Sequence, residues 1–184
     1  MGLILVEAPA VEPVTLEEAK LHMKIDTTED DALISVLIAA ARKVAEEYTR
    51  RAFITQTWEY SMDSLELYTR LPRPPVQLIE SVTVDGEAIS PENYELIQPD
   101  MLLAKVPMRA IKPRGVVVRY KAGYGSNSSD VPQPIRQAIL MLAAHMYENR
   151  EGQAPEAKYE AQAESRLPST VAALLQPYRV MMLW

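Results

Sequence analysis

The side chains best equipped for chemistry in this chain are two histidines, His22 and His145, and an acidic run of Asp26, Glu29, Asp30 and Asp31. Clustered carboxylates suggest a hard divalent cation, which prefers oxygen ligands. The run lacks the alternating ligands and central glycine of a calcium loop, and acids at a helix start already complement the positive end of the helix dipole. His145 lies between Leu142 and Met146 on an apolar helix, the setting of a satisfied buried or interface histidine. His22 has Lys20, Lys24 and Asp26 nearby and reads as a surface residue. Gly123-Tyr124-Gly125 is not followed by the Gly-Lys-Ser/Thr of a phosphate loop, so its glycines serve a backbone turn after a strand. No serine lies in a G-x-S-x-G context. The absence of cysteine removes a thiolate nucleophile, a disulfide framework and a cysteine-based zinc site. No nucleophile, metal set or cofactor loop assembles, so the expectation is a protein that is not an enzyme and holds no cofactor.

The elements point to assembly instead. Residues 132–150 form a helix that is apolar on more than one face. Ile135, Ala138, Ile139, Leu142 and Met146 make one stripe, and Leu140, Met141, Ala144 and Tyr147 make a second about a third of a turn away. A helix with one wet face needs a single stripe, so two stripes imply two packing partners, and a neighbouring subunit is a natural second. Earlier in the chain, Thr15-Leu-Glu-Glu18 is a capping box opening a short helix over 16–24. A second helix follows, capped by Asp26 or Thr28, with Glu29, Asp30 and Asp31 in its first turn, and runs to Arg50. Roughly twenty residues make a rod of about 30 Å.

Residues 3–14 read as extended. Past the second helix the period falls from 3.6 to 2, with Trp58, Tyr60 and Met62 alternating with polar residues. Residues 81–89 read as a hairpin turning at Asp85-Gly86, and residues 94–97, 101–104 and 116–120 as short strands. Residues 122–130 read as a flexible loop. A polar arm over 151–166, a short helix over 171–175 and an apolar tail over 180–184 complete the chain. The expected fold is mainly α with a β insertion (α+β): a bundle of about four helices plus a short-stranded antiparallel subdomain. The expected parts are 1–56 (helical), 57–122 (β-rich insertion) and 123–184 (long helix, arm and last helix, completing the bundle) in one structural domain.

Charge narrows the partners. Residues 1–69 carry six Lys/Arg and thirteen Asp/Glu, 70–131 carry eight and seven, and 132–184 carry five of each. The net −6 thus resides in the N-terminal third, which argues against general affinity for nucleic acid. Lys105, Arg109, Lys112 and Arg114 lie in a stretch without acids and read as a loop and strand edge, with a peripheral phosphate or partner contact as the alternative. No apolar run reaches bilayer-spanning length, and the opening residues lack a basic region ahead of Glu7, so no membrane or signal segment is expected.

Seven motifs occur in order: T-L-E-E-A-K-L-H-M-K from Thr15, D-D-A-L-I-S-V-L-I-A-A-A-R from Asp30, I-T-Q-T-W from Ile54, L-P-R-P-P from Leu71, Y-K-A-G-Y-G from Tyr120, P-I-R-Q-A-I-L-M-L-A-A-H-M-Y-E-N-R-E from Pro134 and L-L-Q-P-Y-R from Leu174. Each is weak alone, but in this order the chain resembles the head–tail connector (adaptor, head-completion) family of long-tailed bacteriophages and prophages. The resemblance implies a structural virion protein at the neck, forming a ring, usually twelvefold, beneath the portal protein. Such a ring extends the DNA channel without specific DNA binding and offers a surface to a downstream stopper or tail-completion protein. Shorter members are essentially four helices, from which this chain departs by its β insertion. The second stripe is then the subunit interface. Leu174, Leu175, Tyr178, Arg179, Met182 and Trp184 are the portal contact, since connectors of this type grip the portal with C-terminal elements. Two other readings stay open: a nucleic-acid-binding module resembling a small packaging subunit, and an enzyme of unknown type.

Overall fold

The computed structural model describes residues 1–97, 99–149 and 167–181. Their elements fall into two compact units, one of residues 1–11 and 50–126 and one of residues 12–49 and 127–184. The expected arm over 151–166 lies outside the described residues, as does the end of the apolar tail.

The first unit is built of strands: β1 (Gly2–Glu7), β2 (Gln56–Met62), β3 (Ser64–Leu65), β4 (Tyr68–Arg70), β5 (Val76–Val84), β6 (Glu87–Ala88), β7 (Tyr94–Ile97), β8 (Met101–Ala104), β9 (Met108–Arg109) and β10 (Val116–Ala122). Five of them make an antiparallel sheet in the order β1-β2-β10-β5-β6, with β4-β8-β7 and β3-β9 as smaller sheets. Strand β10 shows why it sits in the middle. Val116, Val118, Tyr120 and Ala122 are buried, while Val117, Arg119 and Lys121 alternate with them on the other face. That outer face is polar and ion-paired: Arg119 meets Glu80 at 3.0 Å and Glu59 at 3.5 Å, and Lys121 meets Glu80 at 3.3 Å. The inner face shares one apolar core with Leu65, Leu71, Leu102 and Ala104 of the smaller sheets and loops.

Three of the sequence motifs meet in this unit through their backbones. The Thr55 amide donates to the Gly125 carbonyl at 2.9 Å, Tyr124 to Phe53 at 2.9 Å and Gly123 to Pro75 at 2.8 Å. Gly123, at φ +140°, leaves no room for a side chain, because a Cβ there would lie 2.6 Å from the backbone of Ile54 and Thr55. The buried Tyr120 hydroxyl donates to the Pro72 carbonyl at 2.7 Å. The loop after β10, expected to be flexible, is therefore tied at its first residues.

The second unit holds α1 (Leu16–Met23), α2 (Asp31–Thr49), α3 (Gln133–Glu148) and α4 (Ser169–Leu175). The capping box forms: the Glu18 amide donates to Thr15 Oγ1 at 3.1 Å, and the Thr15 amide to Glu18 Oε2 at 2.9 Å. Helix α2 is 19 residues, about 28 Å long. It begins after Asp30, not at an Asp26 or Thr28 cap, and only Asp31 lies in its first turn. Ile34, Ile38, Ile135, Ile139, Leu142 and Leu175 are almost fully buried. Each contributes about 1.5–3 kcal/mol of burial before entropy. No helix among the described residues is long and apolar enough to cross a membrane.

The expected fold class needs correction. A helical bundle carrying a minor insertion of short strands is not what forms: the five-stranded sheet organises a β unit with its own core, and the fold is α+β with a large β share. Two pieces of that sheet go further than expected. Residues 2–7 are a paired strand rather than merely extended chain, and the expected hairpin strand from Ser81 is the end of the nine-residue β5.

Candidate assembly surfaces

Among the described residues no group of three or more His, Asp or Glu is placed to hold a metal, and the site is a matter of which faces are left open. On α3 the first stripe faces inward: Ile135, Ala138, Ile139 and Leu142 are buried and Met146 is half-buried. The second stripe, Leu140, Met141, Ala144 and Tyr147, is half-buried throughout. Tyr147 is engaged within its own unit, its hydroxyl donating to Asp30 Oδ2. Met141 and Ala144 line a cavity of about 260 Å³ between α1, α3 and the start of α4, shared with His22, His145, Glu148, Pro168, Thr170 and Val171. The stripe is thus divided, with part turned to α1 and α4 and Leu140 left half open.

Two acids of the run over 26–31 have other partners. Asp30 takes the Tyr147 hydroxyl, and Asp31 Oδ1 pairs with Lys20 Nζ at 2.6 Å. His145, expected to be buried or at an interface, is exposed on its own chain near the end of α3, where Asn149 Nδ2 lies 3.2 Å from Nδ1 and donates to the His145 carbonyl at 2.8 Å. Glu18 receives the Thr15 amide and Arg136 Nη2 at 2.5 Å, and these donors hold its carboxyl below the usual range.

The C-terminal group is only partly a surface. Leu175 is fully buried, Leu174 and Tyr178 are half-buried and Arg179 is exposed. Met182 and Trp184 lie outside the described residues. The segment is fastened to the end of α2: the Tyr48 hydroxyl donates to Gln176 Oε1 at 2.8 Å, and the Val180 amide donates to the Thr49 carbonyl at 2.9 Å. The Arg179 guanidinium sits 5.3 Å from the centre of the Tyr48 ring, a cation–π contact.

The basic residues are displayed at one end of the β unit. Lys105 follows β8, Arg109 ends β9, and Lys112 and Arg114 lie in the loop before β10; all four are exposed. The loop is pinned from below. Asp85 accepts the amides of Ile111 at 2.8 Å and Lys112 at 3.0 Å, and Asp63 accepts that of Arg114 at 2.7 Å. The two amides hold the Asp85 carboxyl below the usual range. Asp85 itself turns at φ 54° with Gly86 at φ 94°, the left-handed pair expected of the Asp-Gly hairpin.

Two open surfaces were not foreseen. Strand β1 is an edge of the main sheet and exposes Ile4, Leu5 and Val6. Its signal was the unbroken Leu3-Ile4-Leu5-Val6 run, which lacks the charges that usually blunt an edge. Ile111, at the crest of the basic loop, is 95% exposed, and no pattern around it distinguishes it from a strand residue.

Comparison with known proteins agrees with this architecture. The head completion protein family matches residues 12–181. No curated protein matches the chain. Among solved structures, a chain from the virion of a native gene transfer agent particle is similar at 22% identity and TM-score 0.77, over 100% of this chain and 98% of that one. A chain from the neck of the empty particle, computed with C6 symmetry, gives 22% and 0.76 over 100% and 98%. One from the neck of the native particle, computed with C12 symmetry, gives 22% and 0.72 over 98% and 97%. At that identity the likeness is one of fold, and its coverage makes the β unit part of the shared fold rather than an addition to it. By the family match, which takes in residues of both units, the chain belongs to the head completion protein family.

Proposed function

We propose that this chain is a structural head–tail connector whose copies form a ring in the neck, below the portal, around the path of the DNA. The observation that carries the reading is the family match over residues 12–181, joined by a fold shared with chains of gene transfer agent necks. Necks computed with C6 and C12 symmetry support a ring of a number compatible with both, and twelve copies satisfy that. Leu140 and the neighbouring Met141, Ala144 and Tyr147 stripe supply subunit contact. Leu174, Tyr178 and Arg179, with Leu175 anchoring their helix and Met182 and Trp184 following, supply the portal contact; tyrosine, tryptophan and arginine are common interface anchors. The downstream neck protein docks on the ring, and the role is non-enzymatic.

DNA passes through without being held. The acidic surplus of residues 1–69 disfavours phosphate binding, since each cation placed on phosphate strengthens attachment. The test is the mass of the purified chain alone and with portal rings, together with particles made without it. Annular complexes on the portal, and DNA-filled heads separated from tails when the chain is missing, are the expected results. Heads that join tails normally in its absence would overturn the reading.

A further inference from the structure

The pinned basic loop and the cavity of the helical unit are complementary in polarity and in charge. A single exposed isoleucine is ordinary. Here Ile111 stands in a loop held by the Asp85 and Asp63 carboxylates, and Val106, five positions earlier in the same acid-free stretch, is 63% exposed. The loop closes tightly: the Gly115 amide donates to the Lys112 carbonyl at 3.0 Å, and a Cβ on Gly115 would lie 2.9 Å from that oxygen. A contact residue already fixed in place costs less ordering entropy when it binds.

The cavity offers the counterpart. Met141, Ala144 and Val171 give it an apolar part, His22, His145 and Thr170 a polar one, and Glu148 is an exposed acid in its lining. Further acids are linked to its lining residues through contact or chain position. Asp30 is held by Tyr147, one turn along α3 from Ala144, and the exposed Asp26 and Glu29 occupy the connection that follows His22, another lining residue. An exposed apolar side chain in a basic loop thus has its counterpart in a partly apolar hollow whose lining includes an acid.

We propose that, in the ring, the loop bearing Lys105, Arg109, Lys112 and Arg114 in one copy seats Ile111 in this cavity of the next copy, its cations facing Glu148 and the acids before α2. The inference rests on the ring reading above. Knob and hollow are different surfaces, so the contact is heterologous, and repeated head to tail it closes a ring where the rotation between copies divides a full turn. A DNA backbone would satisfy the cations but leave Ile111 without a partner, which favours a second copy of the chain.

The natural chain has no cysteine, so an introduced pair reports cleanly. Ile111→Cys and Thr170→Cys place thiols on the crest and on the exposed margin of the cavity. Particles assembled with the double variant and mildly oxidised should yield a ladder of linked chains extending past the dimer, whereas either single variant should not. Rings seen in the necks without a ladder, or only monomers linked internally, would overturn the loop-in-cavity contact and leave the ring reading standing. Particles with no ring at all would overturn the ring reading itself. As a second variant, Ile111→Asp should keep the wild-type melting temperature while lowering the yield of tailed particles at least about tenfold, the loss that about 1.4 kcal/mol of contact energy produces. Normal yield from Ile111→Asp, with Lys112→Glu and Arg114→Glu instead abolishing salt-sensitive duplex DNA binding, would assign the loop to DNA and overturn the proposal.

Discussion

Arg42 makes the sharpest test of how the helical unit is held together. Its side chain is 8% exposed, and it reaches two carboxylates at once. Nε and Nη2 fork onto Glu12 at 2.7 and 3.3 Å, and Nη1 donates to Glu46 Oε2 at 2.8 Å, one helical turn along. Burial pulls the guanidinium towards losing its proton, but the two carboxylates outweigh it and the group is held more firmly charged than usual. Replacing Arg42 with Met keeps most of the volume and removes the cation that faces Glu46, whose side chain is only 9% exposed. Breaking a buried pair from one side costs about 3–5 kcal/mol. The lower end applies here because Glu12 is 30% exposed and regains water. With a urea slope of about 2 kcal/mol per molar, the midpoint followed by circular dichroism at 222 nm should drop by roughly 1.5 M. The deficit should shrink on acidification, since a buried carboxylate without its cation has a raised pKa and takes up a proton in the folded state. Arg42→Met combined with Glu46→Leu should recover to within about 1 kcal/mol of wild type, because the pair as a whole repays little more than its desolvation. A cost below about 1 kcal/mol for Arg42→Met alone would refute the reasoning, as would a double variant no better than the single one.

Leu140→Asp should leave a monomer with full helical dichroism that fails to enter rings, since an unpaired charge in a dry contact costs several kcal/mol; normal incorporation into particles would remove that stripe from the interface. Glu18, its pKa lowered by the Thr15 amide and Arg136, contributes stability that is complete above the ordinary glutamate value and is lost as pH falls through the folded one. The melting temperature should therefore decline below about pH 4, and less steeply in Glu18→Gln. Gly123→Ala forces a side chain against the backbone of Ile54 and Thr55 at a left-handed φ, and should cost about 3 kcal/mol or more; an unchanged tryptophan-fluorescence melt would show that the contact relaxes freely.

Helices α1 to α4 were legible because their determinants are local. The Thr15–Glu18 capping box, the 3.6-residue spacing of Ile34, Ile38, Ala41 and Ala45, and the proline before α3 all act within a few residues of where they stand. The inner stripe of α3 was legible for the same reason. The ordered motifs carried the family as well, and three of them, at Ile54, Leu71 and Tyr120, prove to be segments that bond to one another across the β unit.

What the chain alone determined was therefore the helices, the turn at Asp85-Gly86, the absence of a cysteine framework and membership of a family. Tertiary structure decided the sheet. Strand β1 pairs with β2 some fifty residues away, and β10 is central only because β2 and β5 reach it from opposite sides. Such pairing has no local period beyond two, so short apolar runs understate it. It also decided which polar groups are inside and which apolar ones are out. Arg42 is buried because Glu12, thirty positions earlier, is brought to it, and Ile111 is lifted into solvent because Asp85 captures the backbone beneath it. Burial depends on what arrives from elsewhere in the chain, and a residue's own neighbours carry no record of that.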